Sequence, residues 1–348
     1  MKQMKKVIAA VTLTGLMAAG LSMSAFADDV AVLENQVVTK HFVMAEGLEV
    51  PDVIFSFTAT AVTEGAPTAS IENVFYSSTD GRGDLSNKIY TLDKEGRITF
   101  GDFPHAGVYE YTVKETAGDV EGITYDTTNY TMKVYVANDE NGQLKVKEIT
   151  ADAGDGKEDS LSFTNTYRKD GRLEITKNTV GELADKTKDF KFTIIFSKSG
   201  TENDDAEFYT GKIGNEDVEC AIGKDTTFYL HDGESLVFED LPVGTRYLVT
   251  EAGVEDGYVP SVSVIENSMT TVDKTGTDAA DLSTTDDGSK NLVGENENSV
   301  TFTNTYNDVP VTGILLKKLP FLMLIVLPGL ALILPELAKF RMKKRGSH

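Results

Sequence analysis

Three residue types with latent amide chemistry occur twice in the same order. Lys40, Glu115 and Asn165 are followed by Lys177, Glu251 and Asn304. Lysine to glutamate spans 75 and 74 residues, and glutamate to asparagine 50 and 53. Each of the six alternates with apolar neighbours. Val38, Lys40 and Phe42 are spaced by two, as are Tyr111, Val113 and Glu115, then Tyr247, Val249 and Glu251. Phe163, Asn165 and Tyr167 repeat the pattern, and Ile175 leads into Lys177. Residues two apart on a strand share a face, so strands here would aim one lysine, one glutamate and one asparagine at each core. Burial favours neutral forms, raising a glutamate pKa and lowering a lysine pKa. A neutral amine is a nucleophile, and a protonated carboxyl is a hydrogen-bond donor and proton shuttle. Beside a carboxamide, the amine can attack Cγ while the glutamate polarises the carbonyl and relays protons. Ammonia leaves and a Lys–Asn isopeptide bond remains. Groups held by a fold react at high effective molarity, which a slow amide exchange needs. A buried Lys–Glu pair bonded to an amide would need no reaction, but such pairs stabilise weakly. The duplication of the whole triad favours the reaction.

The segments around these residues are also repeated. Phe55-Ser-Phe57, Phe100-Gly-Asp102-Phe103-Pro104 and Tyr111-Thr-Val113-Lys-Glu115 are answered by Phe190-Lys-Phe192, Phe238-Glu-Asp240-Leu241-Pro242 and Tyr247-Leu-Val249-Thr-Glu251. The first half closes on Phe163-Thr-Asn165-Thr-Tyr167 and the second on Phe302-Thr-Asn304-Thr-Tyr306. Runs such as Tyr130–Val136 and Phe190–Phe196 are short, rich in β-branched and aromatic residues, and bounded by Gly, Asn and Asp. No long segment keeps a helical period. The expected fold is all-β: two tandem immunoglobulin-like β-sandwich domains of short antiparallel strands, at residues 28–168 and 169–308. The acidic Asp273–Glu297 region shows no strand alternation and reads as a long surface loop.

The chain ends state a destination. Residues 1–27 combine Lys2, Lys5 and Lys6, an apolar run and Ala25-Phe26-Ala27, which is the pattern of a secretory signal peptide cleaved before Asp28. Near the other end, Val309-Pro310-Val311-Thr312-Gly313 precedes the apolar Leu319–Leu334, and five basic residues follow between Lys339 and Arg345. That apolar run is short for a stable span and contains Pro328, yet a basic end would hold it in the membrane during export. Removing the charges of both ends from the formal −22 leaves about −31 for residues 28–313. Such a surface excludes nucleic acid as a natural partner. One cysteine, Cys220, allows no intrachain disulfide, and four scattered histidines have no metal-ligand spacing. No metal and no cofactor are expected. The absence of a nucleophile–histidine or paired-acid motif argues against a secreted hydrolase, leaving self-directed amide chemistry rather than enzyme turnover.

Tyr111–Asp126 (YTVKETAGDVEGITYD), Leu241–Glu251 (LPVGTRYLVTE), the two FTNTY closures and VPVTG together carry a resemblance. The chain resembles the major (backbone) pilins of streptococci, built from CnaB-like domains with internal isopeptide bonds. The resemblance implies Lys40–Asn165 and Lys177–Asn304 bonds promoted by Glu115 and Glu251. Pro310-Val311-Thr312-Gly313 resembles a sortase sorting signal, with Val309 in place of the usual Leu and Pro-Val-Thr-Gly where the pilins have Val-Pro-Thr-Gly. It implies cleavage between Thr312 and Gly313 and transfer of the threonyl group to an amine. The implied partners are a sortase, neighbouring subunits in a covalent homopolymer, peptidoglycan, and a minor tip or basal pilin. The implied location is a pilus on the cell wall, reached through a membrane-held precursor. The acceptor amine is expected to be Lys157, in the acidic turn Ala153–Asp159 just upstream of Asn165, with Lys145 and Lys147 as runners-up. The alternative is a monomeric wall-anchored adhesin whose stalk uses the same domains.

Overall fold

A computed structural model describes residues 36–154, the main chain of 157–158, and residues 160–201, 205–254 and 257–306. Every regular element among the described residues is a β-strand. Val37 to Tyr167 form two six-stranded sheets, and Asp170 to Tyr306 form a seven-stranded and a five-stranded sheet. Each pair closes on its own core. In the first sandwich Phe42 meets Phe55 across the sheets at 5.3 Å between ring centroids, and Phe163 meets Phe57 at 5.2 Å. In the second, Phe302 meets Phe192 at 5.2 Å. Burying such side chains contributes about 1.5–3 kcal/mol each, and aromatic contacts add to that.

Local alternation accounts for the facing of each strand. The closing strand Leu161–Tyr167 buries Leu161, Phe163, Asn165 and Tyr167 and turns Ser162, Thr164 and Thr166 outward. The opening strand Val37–Ala45 and its counterpart Asp170–Val180 alternate in the same way. The pairing is where the architecture departs from a purely antiparallel expectation. In both units the opening and closing strands lie side by side and run parallel. Alternation is the same for parallel and antiparallel neighbours, so it carries no signal for this choice.

Two further expectations are corrected. Asp273–Glu297 is not one long surface loop. The strand Met269–Thr275 enters it, and Leu282–Ser283 and Asn291–Leu292 both pair with the strand Arg246–Glu251. Leu282 and Val293 are buried there, and the Thr284 N–H donates to the Val249 carbonyl at 2.9 Å. One buried apolar residue in or just after each two-residue strand is too little for alternation to reveal. Likewise, Lys157 lies in a two-residue edge strand with Glu158, its main chain opposite Asp152, rather than in a turn.

The sandwiches meet through Val243, which packs into the first core, and through ion pairs of Glu46 with Arg246 and Lys169 with Glu295. Glu295 also accepts a hydrogen bond from the Glu49 N–H at 2.9 Å.

Candidate functional site

Each sandwich brings one lysine, one glutamate and one asparagine together in its interior. Lys40, Asn165, Lys177 and Asn304 are 0 % exposed, Glu251 1 % and Glu115 6 %. Lysine and asparagine come from the adjacent parallel strands. Lys40 stands opposite Phe163 and Phe42 opposite Asn165; Lys177 stands opposite Phe302 and Thr179 opposite Asn304. Both pairs are thus diagonal neighbours on one face, two residues out of register in the same sense. The glutamates reach across from the facing sheets. Glu115 ends the inward series of Gly107–Thr116 and stands opposite Phe57, while Glu251 stands opposite Phe192.

The repeated Phe-x-Phe segment has two jobs. Its second ring faces the glutamate strand. Its first lies beneath the lysine, with Lys40 Nζ 4.6 Å from the Phe55 ring centroid and Lys177 Nζ 4.2 Å from that of Phe190. Aromatic faces hold an ammonium yet supply no proton acceptor. The repeat signals these phenylalanines, but their placement under the amines needs the fold.

In the first centre Glu115 spans the two reactants. Its Oε2 lies 2.8 Å from Lys40 Nζ, and its Oε1 accepts a hydrogen bond from Asn165 Nδ2 at 2.6 Å. The carboxyl thereby faces the amide nitrogen and not the carbonyl oxygen. Proton relay to the leaving nitrogen is well placed, whereas polarising the carbonyl is not available to Glu115 in this arrangement. The carbonyl oxygen Oδ1 instead accepts the Asp126 N–H at 2.8 Å. No side-chain pattern announces Asp126, because its contribution to this oxygen is a main-chain group.

The second centre uses one carboxyl oxygen for both contacts. Glu251 Oε1 is 3.0 Å from Lys177 Nζ and accepts Asn304 Nδ2 at 2.8 Å. Glu251 Oε2 and Asn304 Oδ1 are buried without a hydrogen-bond partner among the described residues.

Burial pushes the Lys40 amine below its usual range, against the opposing pull of Glu115. It brings Lys177 down to about 8, again by desolvation, which the Glu251 charge only partly offsets. The Glu251 carboxyl is raised for the same reason. A lowered amine beside a raised carboxyl shifts the ion pair toward free amine and carboxylic acid, the pair that can attack and protonate an amide. No cluster of three or more His, Cys, Asp or Glu suited to a metal occurs among the described residues.

The other sequence-derived positions are not part of these centres. Lys157 is on a sheet edge, Lys145 is exposed with Asp139 at 3.5 Å, and Lys147 is exposed. Residues 1–27 and Val309, Pro310, Val311, Thr312 and Gly313 lie outside the described residues.

Both sandwiches have counterparts among known proteins. A family model described as Spy0128-like isopeptide containing domain matches residues 38–168. A second, described as Domain of unknown function (DUF7601), matches residues 171–306. A pilin of Streptococcus pyogenes serotype M1 is 29 % identical over 229 residues, covering 64 % of this chain and 64 % of that one. The pilus tip adhesin Cpa of S. pyogenes is 36 % identical over 145 residues, 41 % of this chain and 18 % of the adhesin. Among solved structures, the major pilin T3.2 of S. pyogenes serotype GAS13637 is 26 % identical, covering 79 % of this chain and 99 % of that chain, with a TM-score of 0.36. The chain therefore spans somewhat under two thirds of the curated pilin it matches and under a fifth of the adhesin. Residues 38–168 thus match the family of Spy0128-like isopeptide containing domains, in a chain similar to a streptococcal pilin.

Proposed function

We propose that this chain is a structural shaft subunit of a surface pilus, joined covalently to its neighbours and strengthened by one internal Lys–Asn isopeptide bond in each sandwich. The observation that carries this reading is the pair of buried triads: a lysine and an asparagine on adjacent parallel strands with a glutamate between them, twice in one chain. A buried ion pair stabilises weakly in water-excluded surroundings, so a triad retained in both halves is better accounted for by a reaction than by its charges. On this reading residues 1–27 are the leader, 28–168 and 169–308 the load-bearing units, and 309–348 the sorting region. Glu115 and Glu251 promote the Lys40–Asn165 and Lys177–Asn304 bonds, and the chain has no other catalytic work.

A sortase acting on Val309–Gly313 would cut after Thr312 and pass the threonyl group to an amine of the next subunit, and at the base to peptidoglycan. Electrophoresis of wall extracts tests this directly. A ladder of covalent multimers is expected, with Thr312 as the C-terminus found by mass spectrometry of released chains. A second reading, the stalk of a wall-anchored adhesin, draws on the 36 % identity to the tip adhesin. It requires a single band. An intact Gly313–His348 tail on released chains would favour a plain membrane anchor.

Titration separates a closed bond from a mere ion pair. In an Asn304→Ala chain no bond can form and Lys177 remains a free amine, held near 8 when folded against an ordinary 10.5. Between those pH values the unfolded chain binds a proton there that the folded chain lacks. Stability of the variant therefore rises with pH from about 8 to 10.5 and levels off above. With Lys177 consumed in an amide, the parent chain should lack this increment. Denaturant midpoints measured across the window give the comparison, and parallel pH profiles for both chains would mean that the parent amine is also free.

A further inference from the structure

We propose that the main-chain N–H of Asp126 is the oxyanion donor of the first centre, so that the Lys40–Asn165 bond closes faster than the Lys177–Asn304 bond. This inference rests on the isopeptide reading above and adds to it a group that neither triad contains.

The two centres differ at the carboxamide oxygen. Asn165 Oδ1 accepts the Asp126 N–H at 2.8 Å, while Asn304 Oδ1 is buried with no partner among the described residues. The distance in the first centre is that of donors which stabilise developing oxyanions. This contact also fixes the orientation of the carboxamide. With Oδ1 held by Asp126, Nδ2 must face Glu115, which accepts it at 2.6 Å. The departing nitrogen is thus aimed at the proton relay and the carbonyl oxygen at the donor.

The donor is held by three devices. The Asp126 carboxylate accepts the N–H of Thr164 at 2.7 Å and of Thr128 at 2.8 Å, tying the loop to the residue beside Asn165. Ile123–Thr124 pairs with Thr166 and Tyr167 of the closing strand, which brings the chain alongside it. The turn into that pairing is made by Gly122, at φ +82°, where a Cβ would lie 2.1 Å from the Arg168 carbonyl oxygen. In the second sandwich a full strand, Tyr258–Glu266, takes this place and sets Pro260 opposite Asn304. The counterpart of Asp126 is then Ser261, opposite Thr303, and no N–H among the described residues reaches Asn304 Oδ1.

The step balances within the residues present. The Lys40 amine attacks Asn165 Cγ, and negative charge collects on Oδ1 against the Asp126 N–H. With Glu115 starting as the carboxylic acid, a proton of the attacking nitrogen passes to its Oε2 as the acid proton passes from Oε1 to Nδ2, which leaves a carboxylic acid again. The Cγ–Nδ2 bond breaks, ammonia leaves, and the Nζ–Cγ amide remains with Glu115 back in its starting state.

Residues 28–308 contain every described strand and both cores, so this segment made by cell-free synthesis serves for the test. Timed samples, quenched in denaturant and digested, report ammonia loss at each centre by mass. In the parent chain the first bond should close first. Asp126→Pro, which deletes the donor, should slow it about 100-fold, the usual effect of losing one oxyanion donor, and leave the second bond unchanged. Thr127→Pro places the same ring one residue on and keeps the donor, so the first bond should close at the parent rate. Protease protection of residues 37–167 checks that Asp126→Pro has folded; if it has not, the order of closure in the parent chain decides. Equal rates at the two centres, or equal slowing by the two prolines, would overturn the inference and leave the isopeptide reading standing. No ammonia loss at either centre of the parent chain would remove both.

Discussion

Pulled from its two ends, the parent chain should show no unfolding step from either sandwich, whereas Asn165→Ala should release the first as a step on the order of 40 nm, set by about 3.4 Å for each freed residue. The geometry dictates this. With the proposed bond closed, load entering at Val37 would reach Lys40, cross to Asn165 on the neighbouring parallel strand and leave at Tyr167. Residues 41–164 stay outside the load path. The same bond closes a loop of roughly 125 residues, which in a loop-entropy account contributes about 5 kcal/mol to each unit. Glu115→Ala should cost still more than Asn165→Ala, because it prevents the bond and also strands Lys40 as a buried cation, a loss of about 3–5 kcal/mol by itself. Thermal midpoints of the first unit should fall on the order of 15 °C or more in either variant. The mass of residues 28–308 gives the chemical count: the parent falls short by two molecules of ammonia, Glu115→Ala by one, and Glu115→Ala with Glu251→Ala by none. A parent chain at full calculated mass, or force traces alike in parent and Asn165→Ala, would sink the bonded model.

The second large effect is expected outside the sandwich interiors. Replacing Lys157 by Arg should collapse the ladder of multimers in wall extracts to monomer, since arginine keeps the charge but cannot serve as the acceptor amine. Lys157 belongs to the last strand of a six-stranded sheet among the described residues, with its main chain paired to Asp152. A sheet edge is open to an approaching extended segment, and on the sortase reading the arriving segment would end at Thr312. Lys145 is a weaker candidate because Asp139 lies 3.5 Å from its amine, and Lys147 follows it on the same strand. A normal ladder from Lys157→Arg would move the linkage to Lys147 or Lys145.

The inward facing of Lys40, Glu115 and Asn165 is legible in the order of residues alone, because each sits in phase with large apolar neighbours. The path of Asp273–Glu297 is not, since its buried anchors Leu282 and Val293 stand in pieces too short to show a period. The role of Glu115 is legible only in outline. That it shuttles protons follows from a carboxyl between an amine and an amide, but which amide atom it meets depends on a rotamer that Asp126 holds.

The β class, the doubling and the six residues aimed at two interiors are therefore visible before any fold is known. All of these are read from spacing along the chain, where a strand turns alternate side chains to one face. Only the tertiary structure decided that the opening and closing strands are parallel neighbours, that Lys40 and Lys177 lie diagonal to Asn165 and Asn304, and that each glutamate arrives from the opposite sheet. It also decided that Asn165 has a main-chain donor where Asn304 has none among the described residues. Those are matters of which distant segments pair, in which direction and register. Alternation is indifferent to all three, and a main-chain N–H is the same at every residue except proline until the fold brings it to an acceptor.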